Sequence, residues 1–139
     1  HGLADLVVGA NNHAFIEMLW RDWSPGYDAK VDLEFVRKSL ADPKNLQAAL
    51  GCYRATLGDG YRDPQLSDLQ NRMAAGVPTR PLLYLHGAND GCIGADVVES
   101  AKKIAPANVK FEVVEAAGHF LQLEQPKTVN KLICDFLAN

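Results

Sequence analysis

An acidic residue and a histidine each follow a short apolar stretch in the second half of this 139-residue sequence. Asp90 lies in the segment Gly87-Ala88-Asn89-Asp90-Gly91, and His119 follows Ala116-Ala117-Gly118, 29 residues further along the chain. A carboxylate can hold an imidazole in the orientation that a general base requires. The two residues therefore predict the acid and the base of a nucleophile, histidine and acid triad. Asn-Asp-Gly is also typical of a simple turn, so Asp90 taken alone leaves both interpretations open.

The apolar stretches before these two residues are typical of strands. Leu82–Leu85 is a nearly continuous apolar run between Pro81 and Gly87, which predicts a strand buried on both faces of a parallel sheet. Lys110–Glu115 predicts a second strand, and the apolar spacing within Ala95–Ala105 predicts a helix between the two. Parallel strands bring their carboxyl ends to one edge of a sheet, where α/β proteins place their chemistry.

The remaining chain predicts helices. Apolar residues recur at helical spacing in 11–23, 31–40, 43–57 and 66–73, and again from Pro126 to Leu137. Asp42 and Pro43 have the residue types of a helix cap and a first helical position. We therefore expect a helical part over residues 1–76 and an α/β part over residues 77–139. Two strands leave much sheet edge open, so we expect the missing strands to come from upstream sequence or from a second copy of the chain.

Composition excludes several classes of function. The net charge of −3 offers no basic face for nucleic acid, and no run approaches the roughly 18 apolar residues of a membrane span. We expect a cytoplasmic protein. The three widely spaced cysteines predict reduced thiols, and no His or Cys pair has the spacing of a zinc site, so no metal is expected. Because the chain begins at His1 and not at a methionine, we expect a piece of a longer protein.

With these residues identified, the chain resembles the C-terminal half of an α/β-hydrolase, in the branch of the epoxide hydrolases and haloacetate dehalogenases. Leu85–Asp90 resembles the strand and acid loop of that family, and Gly118-His119-Phe120 resembles its histidine loop. The helical part, with Trp20–Gly26 and Asp42-Pro43, resembles the cap inserted between the two halves of the core. The implied fold is α/β: a helical cap followed by the last two parallel strands and helices of the core sheet.

The resemblance implies roles for four residues. Asp90 would be the triad acid, and His119 would be the base that activates water. Tyr53 matches the cap tyrosine that binds the leaving oxygen or halide, although its place on a stripe of leucines also fits a core side chain. Trp20 would line the substrate pocket, or would simply pack. The resemblance implies a small organic substrate and no cofactor.

The chain also departs from the family pattern. The nucleophile elbow, Gly-x-(Ser or Asp)-x-Gly, is not found in the sequence, and in family order it would lie upstream. We therefore expect an epoxide hydrolase-like enzyme that uses a covalent intermediate, with this chain inactive alone. A serine esterase or a haloacetate dehalogenase of the same fold is an alternative. A second alternative is a non-catalytic module that self-associates through its open sheet edge.

Three further residues near the predicted site have side chains that could take part in catalysis. His86 precedes Gly87 at a strand end and is expected to be structural. Cys92 has no base placed to activate it by sequence, which favours a packed thiol. Asp96 is expected in the first turn of a helix. Neither His1 nor His13 has a partner pattern, and both are expected at the surface.

Overall fold

The computed structural model describes residues 2–58, 60–76 and 79–138. Within these residues helices precede a strand, helix, strand and helix order, as the sequence predicts. The elements are α1 (Gly2–Trp23), α2 (Lys30–Leu40), α3 (Pro43–Leu57), a 3₁₀ turn (Pro64–Leu66), α4 (Ser67–Ala75), β1 (Leu82–Gly87), α5 (Asp96–Lys102), β2 (Val109–Val114), α6 (Leu121–Glu124) and α7 (Pro126–Leu137). The expectations for His1 and for the boundary at residue 77 lie outside the described residues.

The chain forms two compact units. One, called here the helical unit, comprises His1–Met18 and Ala29–Gly76, and the other, the α/β unit, comprises Leu19–Asp28 and Val77–Asn139. Residues 19–28 therefore belong with the strands, although the sequence places them within a helical part that ends at residue 76. In the described residues, no helix combines the length and the apolar character that a membrane crossing needs.

Capping and ion pairing stabilise the helical unit. The Asp42 side chain accepts a hydrogen bond from the Lys44 backbone N–H at 2.9 Å, and Pro43 occupies the first helical position of α3, as predicted. Arg54 of α3 lies 2.7 Å from the carboxylate of Asp5, and both side chains are partly buried. Because the α3 cap is encoded locally, its start could be predicted from sequence.

The long helix α1 is interrupted near its middle. Asn11, Asn12 and His13 have φ values of 49°, 55° and 60°, in the left-handed region that asparagine tolerates better than most residues. The prediction that His13 lies at the surface is wrong, since the residue is only 8% exposed. Turning at three successive residues carries this side chain inward, and neither ring nitrogen has a hydrogen-bond partner among the described residues.

Parallel pairing of β1 with β2 organises the α/β unit. The register runs from Leu82 opposite Val109 to Gly87 opposite Val114, so both strands end together. Val114, Ala117 and Val129 form the core cluster, which places α7 against the end of β2. The prediction that β1 is buried along its whole length is wrong, because Leu82 is 39% exposed. The described sheet has two strands, so each strand has one unpaired edge.

Candidate active site

The carboxyl ends of β1 and β2 bring Asp90 and His119 together. Nδ1 of His119 lies 3.0 Å from Oδ2 of Asp90, which is hydrogen-bonding distance. The Asp90 side chain is 6% exposed, whereas that of His119 is 30% exposed. This pair, called here the dyad, has the carboxylate on the inside and the imidazole open to a reactant.

Asp90 uses its two carboxylate oxygens differently. Oδ1 accepts hydrogen bonds from the backbone N–H groups of Cys92 at 2.8 Å and Ile93 at 3.0 Å, while Oδ2 faces His119. The sequence left open whether Asp90 is a turn residue or a triad acid. In the structure it orders its own turn with one oxygen and orients the histidine with the other.

These contacts also keep Asp90 ionised. Burial alone would raise the pKa of Asp90, but the hydrogen bonds from Ile93, His119 and Cys92 outweigh it and hold that pKa below the ordinary value. An ionised carboxylate can only accept hydrogen bonds, so Nδ1 of His119 carries the proton in this contact. The lone pair of the neutral imidazole is then on Nε2, which is the nitrogen that can act as a base.

One backbone carbonyl joins the loops that carry the dyad. The carbonyl oxygen of Trp23 accepts hydrogen bonds from the N–H of Gly91 at 3.1 Å and from the N–H of His119 at 3.0 Å. The Trp23 ring also lies edge-on to the His119 ring, with centroids 5.0 Å apart. The residues that join the two loops therefore come from the far end of α1.

A buried polar network holds the histidine loop. The Ser24 hydroxyl, which is fully buried, donates to Oε1 of Glu124 at 2.7 Å and accepts from the N–H of Phe120 at 3.2 Å. Oε2 of Glu124 accepts from the N–H of Gly118 at 2.8 Å. These bonds fix the backbone on both sides of His119. Sequence reasoning missed Ser24 and Glu124, which lie 100 residues apart and carry no local pattern that connects them.

Close backbone approach explains the glycines of the two loops. A Cβ atom on Gly91 would lie 2.0 Å from the Asp22 carbonyl oxygen, and one on Gly87 would lie 2.0 Å from the Gly118 carbonyl oxygen. A Cβ on Gly118 would lie 2.6 Å from Cα of Ser24. Any side chain at these positions would push the loops apart, and the dyad distance would change with them.

His86 supports the loop that carries Asp90. Its side chain is buried, and its Nε2 lies 2.9 Å from the carbonyl oxygen of Ile93, which can only accept. Nε2 therefore carries the proton, and Nδ1 accepts from the Tyr84 hydroxyl at 3.1 Å. With both nitrogens engaged, His86 positions the loop and is not available as a second base.

Trp20 and Tyr53 lie in different units. Trp20 belongs to the α/β unit, where its ring stacks on Phe120 with centroids 4.0 Å apart, directly beside His119 along the chain. Tyr53 lies on α3 of the helical unit and is 63% exposed, so its interpretation as a core side chain is wrong. The substrate-binding role of each residue stays a prediction.

Cys92 lies beside the dyad. The prediction of a packed thiol is wrong, because the residue is exposed at the turn that Asp90 orders. Local desolvation and then the negative charge of Asp90 raise the pKa of its thiol. One potential ligand atom from each of Asp90, Cys92 and His119 lies within 4.8 Å of the others. Sequence spacing did not reveal this cluster, because its members meet only through the pairing of two strands.

A cavity of about 370 Å³ lies elsewhere, in the helical unit. Tyr61, Arg62 and Asp63 are among the residues that line it, and neither dyad residue is among them. The contact between Asp90 and His119 therefore lies outside this cavity, and the dyad remains the candidate active site.

Comparison with known families decides the fold. The family model described as the alpha/beta hydrolase fold matches residues 6–126, which is more than half of the chain. The chain belongs to the α/β-hydrolase family. This confirms the predicted family and the predicted α/β fold class, with Asp90 and His119 both inside the matched residues.

Curated relatives of this α/β-hydrolase chain are named as epoxide hydrolases. Epoxide hydrolase B of Mycobacterium tuberculosis is 28% identical over 116 residues, which are 82% of this chain and 30% of the relative. Epoxide hydrolase 3 of Xenopus tropicalis is 37% identical over 57 residues, and human epoxide hydrolase 4 is 37% identical over 59 residues. Each of these two alignments covers 16% of the relative.

A solved structure shows the same fold. The crystal structure of a candidate epoxide hydrolase from Klebsiella pneumoniae matches 95% of this α/β-hydrolase chain with a TM-score of 0.75 at 23% identity. The match covers 44% of that protein. The chain thus spans less than half the length of the proteins to which it is similar here.

Proposed function

We propose that this chain is the cap and the C-terminal part of the core of an epoxide hydrolase-like enzyme. The observation that carries the proposal is the 3.0 Å contact between Nδ1 of His119 and Oδ2 of Asp90. It supplies a base and its orienting acid at the edge of a parallel sheet, where α/β enzymes work. The names of the similar proteins support an epoxide as the substrate class, as part of a small organic molecule.

The proposed reaction uses a covalent intermediate. A nucleophilic aspartate outside this chain attacks an epoxide carbon, the carbon–oxygen bond of the ring breaks, and the released alkoxide takes a proton from the phenol of Tyr53. Nε2 of His119 then removes a proton from water, and the resulting hydroxide attacks the carbonyl carbon of the enzyme ester. When the tetrahedral intermediate collapses, the ester carbon–oxygen bond breaks and the departing oxygen takes the proton from the His119 imidazolium, which releases the diol. The carboxylic acid that remains returns its proton through solvent to the Tyr53 phenolate, which restores the aspartate and the phenol. Asp90 stabilises the imidazolium that forms in this step.

Tyr53 is the proposed donor to the alkoxide. A developing alkoxide is stabilised by a hydrogen-bond donor aimed at it in a site that excludes water. Tyr53 is an exposed phenol on α3, in the part proposed to be the cap. Trp20, stacked on Phe120, is proposed to form an apolar wall beside the imidazole.

The exposed apolar surface supports a larger assembly. Several large apolar side chains of the α/β unit are more than a third exposed: Leu82, Ile93, Val97, Ile104, Val113, Leu123, Ile133 and Leu137. Such a surface fits a chain that packs against the rest of a hydrolase core. The proposed partner is the N-terminal half of that core, which would also carry the nucleophile.

The same surface favours a second candidate, a non-catalytic module that pairs with a copy of itself through its open strand edge. Sedimentation of the chain distinguishes the two candidates. A dimer that persists at low concentration supports the module, whereas a monomer that binds a separately supplied N-terminal half supports the enzyme.

The test of the enzyme begins with the coding sequence upstream of His1. The proposal expects a Gly-x-Asp-x-Gly elbow there, while Gly-x-Ser-x-Gly would point to a serine esterase. In the complete protein, Tyr53→Phe should lower kcat on an epoxide by about 10²- to 10³-fold, because one donor to the transition state is lost. Tyr61→Phe, at another exposed tyrosine of the helical unit, is the matched control and should leave kcat unchanged. Equal effects of the two changes on kcat would show that Tyr53 is not the donor to the alkoxide.

A further inference from the structure

The dyad has a third potential metal ligand beside it. Asp90, Cys92 and His119 each present one atom, and these atoms lie within 4.8 Å of one another. The N–H of Cys92 donates to Oδ1 of Asp90 at 2.8 Å, which fixes the cysteine backbone against the acid. The backbone of Cys92 is therefore held beside the dyad, while its exposed side chain can still rotate.

The donor set matches a particular class of cation. A thiolate, an imidazole and a carboxylate are the ligands that Zn²⁺ takes in proteins, with three protein ligands leaving a fourth position open. Tetrahedral bonds of about 2.0–2.3 Å place ligand atoms about 3.3–3.8 Å apart, so this cluster must contract by roughly 1 Å. Rotation of the exposed Cys92 side chain and a small shift of His119, which is 30% exposed, can supply that movement.

A neighbouring histidine does not complete the site. Nε2 of His86 lies 3.9 Å from Oδ2 of Asp90, but both of its ring nitrogens are already engaged, with Tyr84 and with the Ile93 carbonyl. The fourth position is thus left to water or to another small ligand.

We propose that Asp90, Cys92 and His119 form a binding site for a thiophilic divalent cation such as Zn²⁺, and that the cation competes with the dyad hydrogen bond. Nδ1 is the ring nitrogen that faces Asp90, and it carries the proton of that contact. A cation bound at Nδ1 replaces this proton and ends the hydrogen bond to Asp90. Occupation would then stop hydrolysis; this consequence rests on the proposed function, whereas cation binding does not.

Cobalt absorption tests the site without any measurement of activity. A Co²⁺ ion bound to a thiolate absorbs in the near ultraviolet, and competition with Zn²⁺ gives the zinc affinity. All three cysteines are exposed, so Cys52 and Cys134 provide matched controls. We expect the Cys52→Ser/Cys134→Ser double variant to keep the absorption band at one Co²⁺ per chain. Cys92→Ser should lose the band and bind Zn²⁺ at least about tenfold more weakly.

The ring proton signals of His119 test the second ligand. Zn²⁺ should shift the His119 signals in the wild-type chain and leave them in place in Cys92→Ser, with His119→Gln used to assign them. An unchanged band and affinity in Cys92→Ser, no band in the wild type, or zinc binding that leaves the His119 signals unmoved would each overturn the proposal. Hydrolysis of epoxides in the complete protein is a separate assay, so an inactive protein that binds cobalt through Cys92 would contradict the proposed function alone.

Discussion

Nδ1 of His119 lies 3.0 Å from Oδ2 of Asp90, although 29 residues of chain separate the two. Their strands pair in parallel with both ends in register, and the Trp23 carbonyl binds the backbone of both loops. The contact is therefore built from three separate parts of the chain. Each of these parts can be changed individually.

The first prediction concerns acid. The pKa of Asp90 is held below its ordinary value of about 3.9, so the ionised group contributes stability that is fully present above about pH 4. That contribution is lost as the pH falls through the lower pKa of the folded state. We expect the free energy of unfolding of the wild type to exceed that of Asp90→Asn at pH 5, and the difference to shrink toward pH 2.5. Urea denaturation across this range measures it.

Asp68→Asn provides the control for this series, since Asp68 is an exposed carboxylate on α4. Its effect on the free energy of unfolding should be small at pH 5. A difference between the wild type and Asp90→Asn that stays constant down to pH 2.5 would show that the folded chain does not favour ionised Asp90.

A second prediction concerns the buried hydroxyl of Ser24. Ser24→Ala leaves Oε1 of Glu124 and the N–H of Phe120 without this partner, and an unsatisfied buried polar group costs about 1–3 kcal/mol. We expect the free energy of unfolding to fall by about that amount. Ser100→Ala, at an exposed serine of α5 in the same unit, should change it by less than about 0.5 kcal/mol. Equal losses in the two variants would show that the hydrogen bonds of Ser24 do not contribute to the free energy of unfolding.

A third prediction sets two glycines against each other. Gly118→Ala places a Cβ 2.6 Å from Cα of Ser24 and should lower the free energy of unfolding by about 1–3 kcal/mol. Gly51 lies inside α3 with nothing within 4 Å of its added Cβ, so Gly51→Ala should raise the free energy of unfolding by up to about 1 kcal/mol. Thermal denaturation of both variants measures the signs. A higher free energy of unfolding for Gly118→Ala would show that the loop accommodates a Cβ at position 118, against the close contact with Ser24.

The sequence predicted the parts of the fold whose signals are local. The apolar spacing of Pro126–Leu137 and the cap at Asp42 define α7 and α3 to within a residue, because each helix carries its own stripe or cap. β2 begins and ends one residue earlier than predicted, at Val109 and Val114. The predicted helix over 95–105 is shorter, ending at Lys102, since the N–H groups of Lys103 and Ile104 donate to carbonyls three residues back, as in a tighter turn.

The dyad could be predicted because the end of each strand is visible in the sequence as the end of an apolar run. Asp90 and His119 each follow an apolar run, and parallel pairing places such ends together. Ser24 and Glu124 could not be found in this way, because a serine after a helix and a glutamate in a four-residue helix have no spacing that relates them. The membership of 19–28 in the α/β unit was hidden for the same reason, since its contacts to the loops are backbone hydrogen bonds over long sequence distances.

The most direct test of the proposed mechanism is the mass of the His119→Gln variant of the complete enzyme after exposure to an epoxide. Without the base, an aspartate nucleophile can still open the ring, but the ester is not hydrolysed. We expect a covalent adduct of one substrate mass that the wild type does not accumulate, and none when the nucleophile is also replaced. An unmodified His119→Gln protein, with substrate binding intact, would contradict the role of His119 as the base that releases a covalent intermediate.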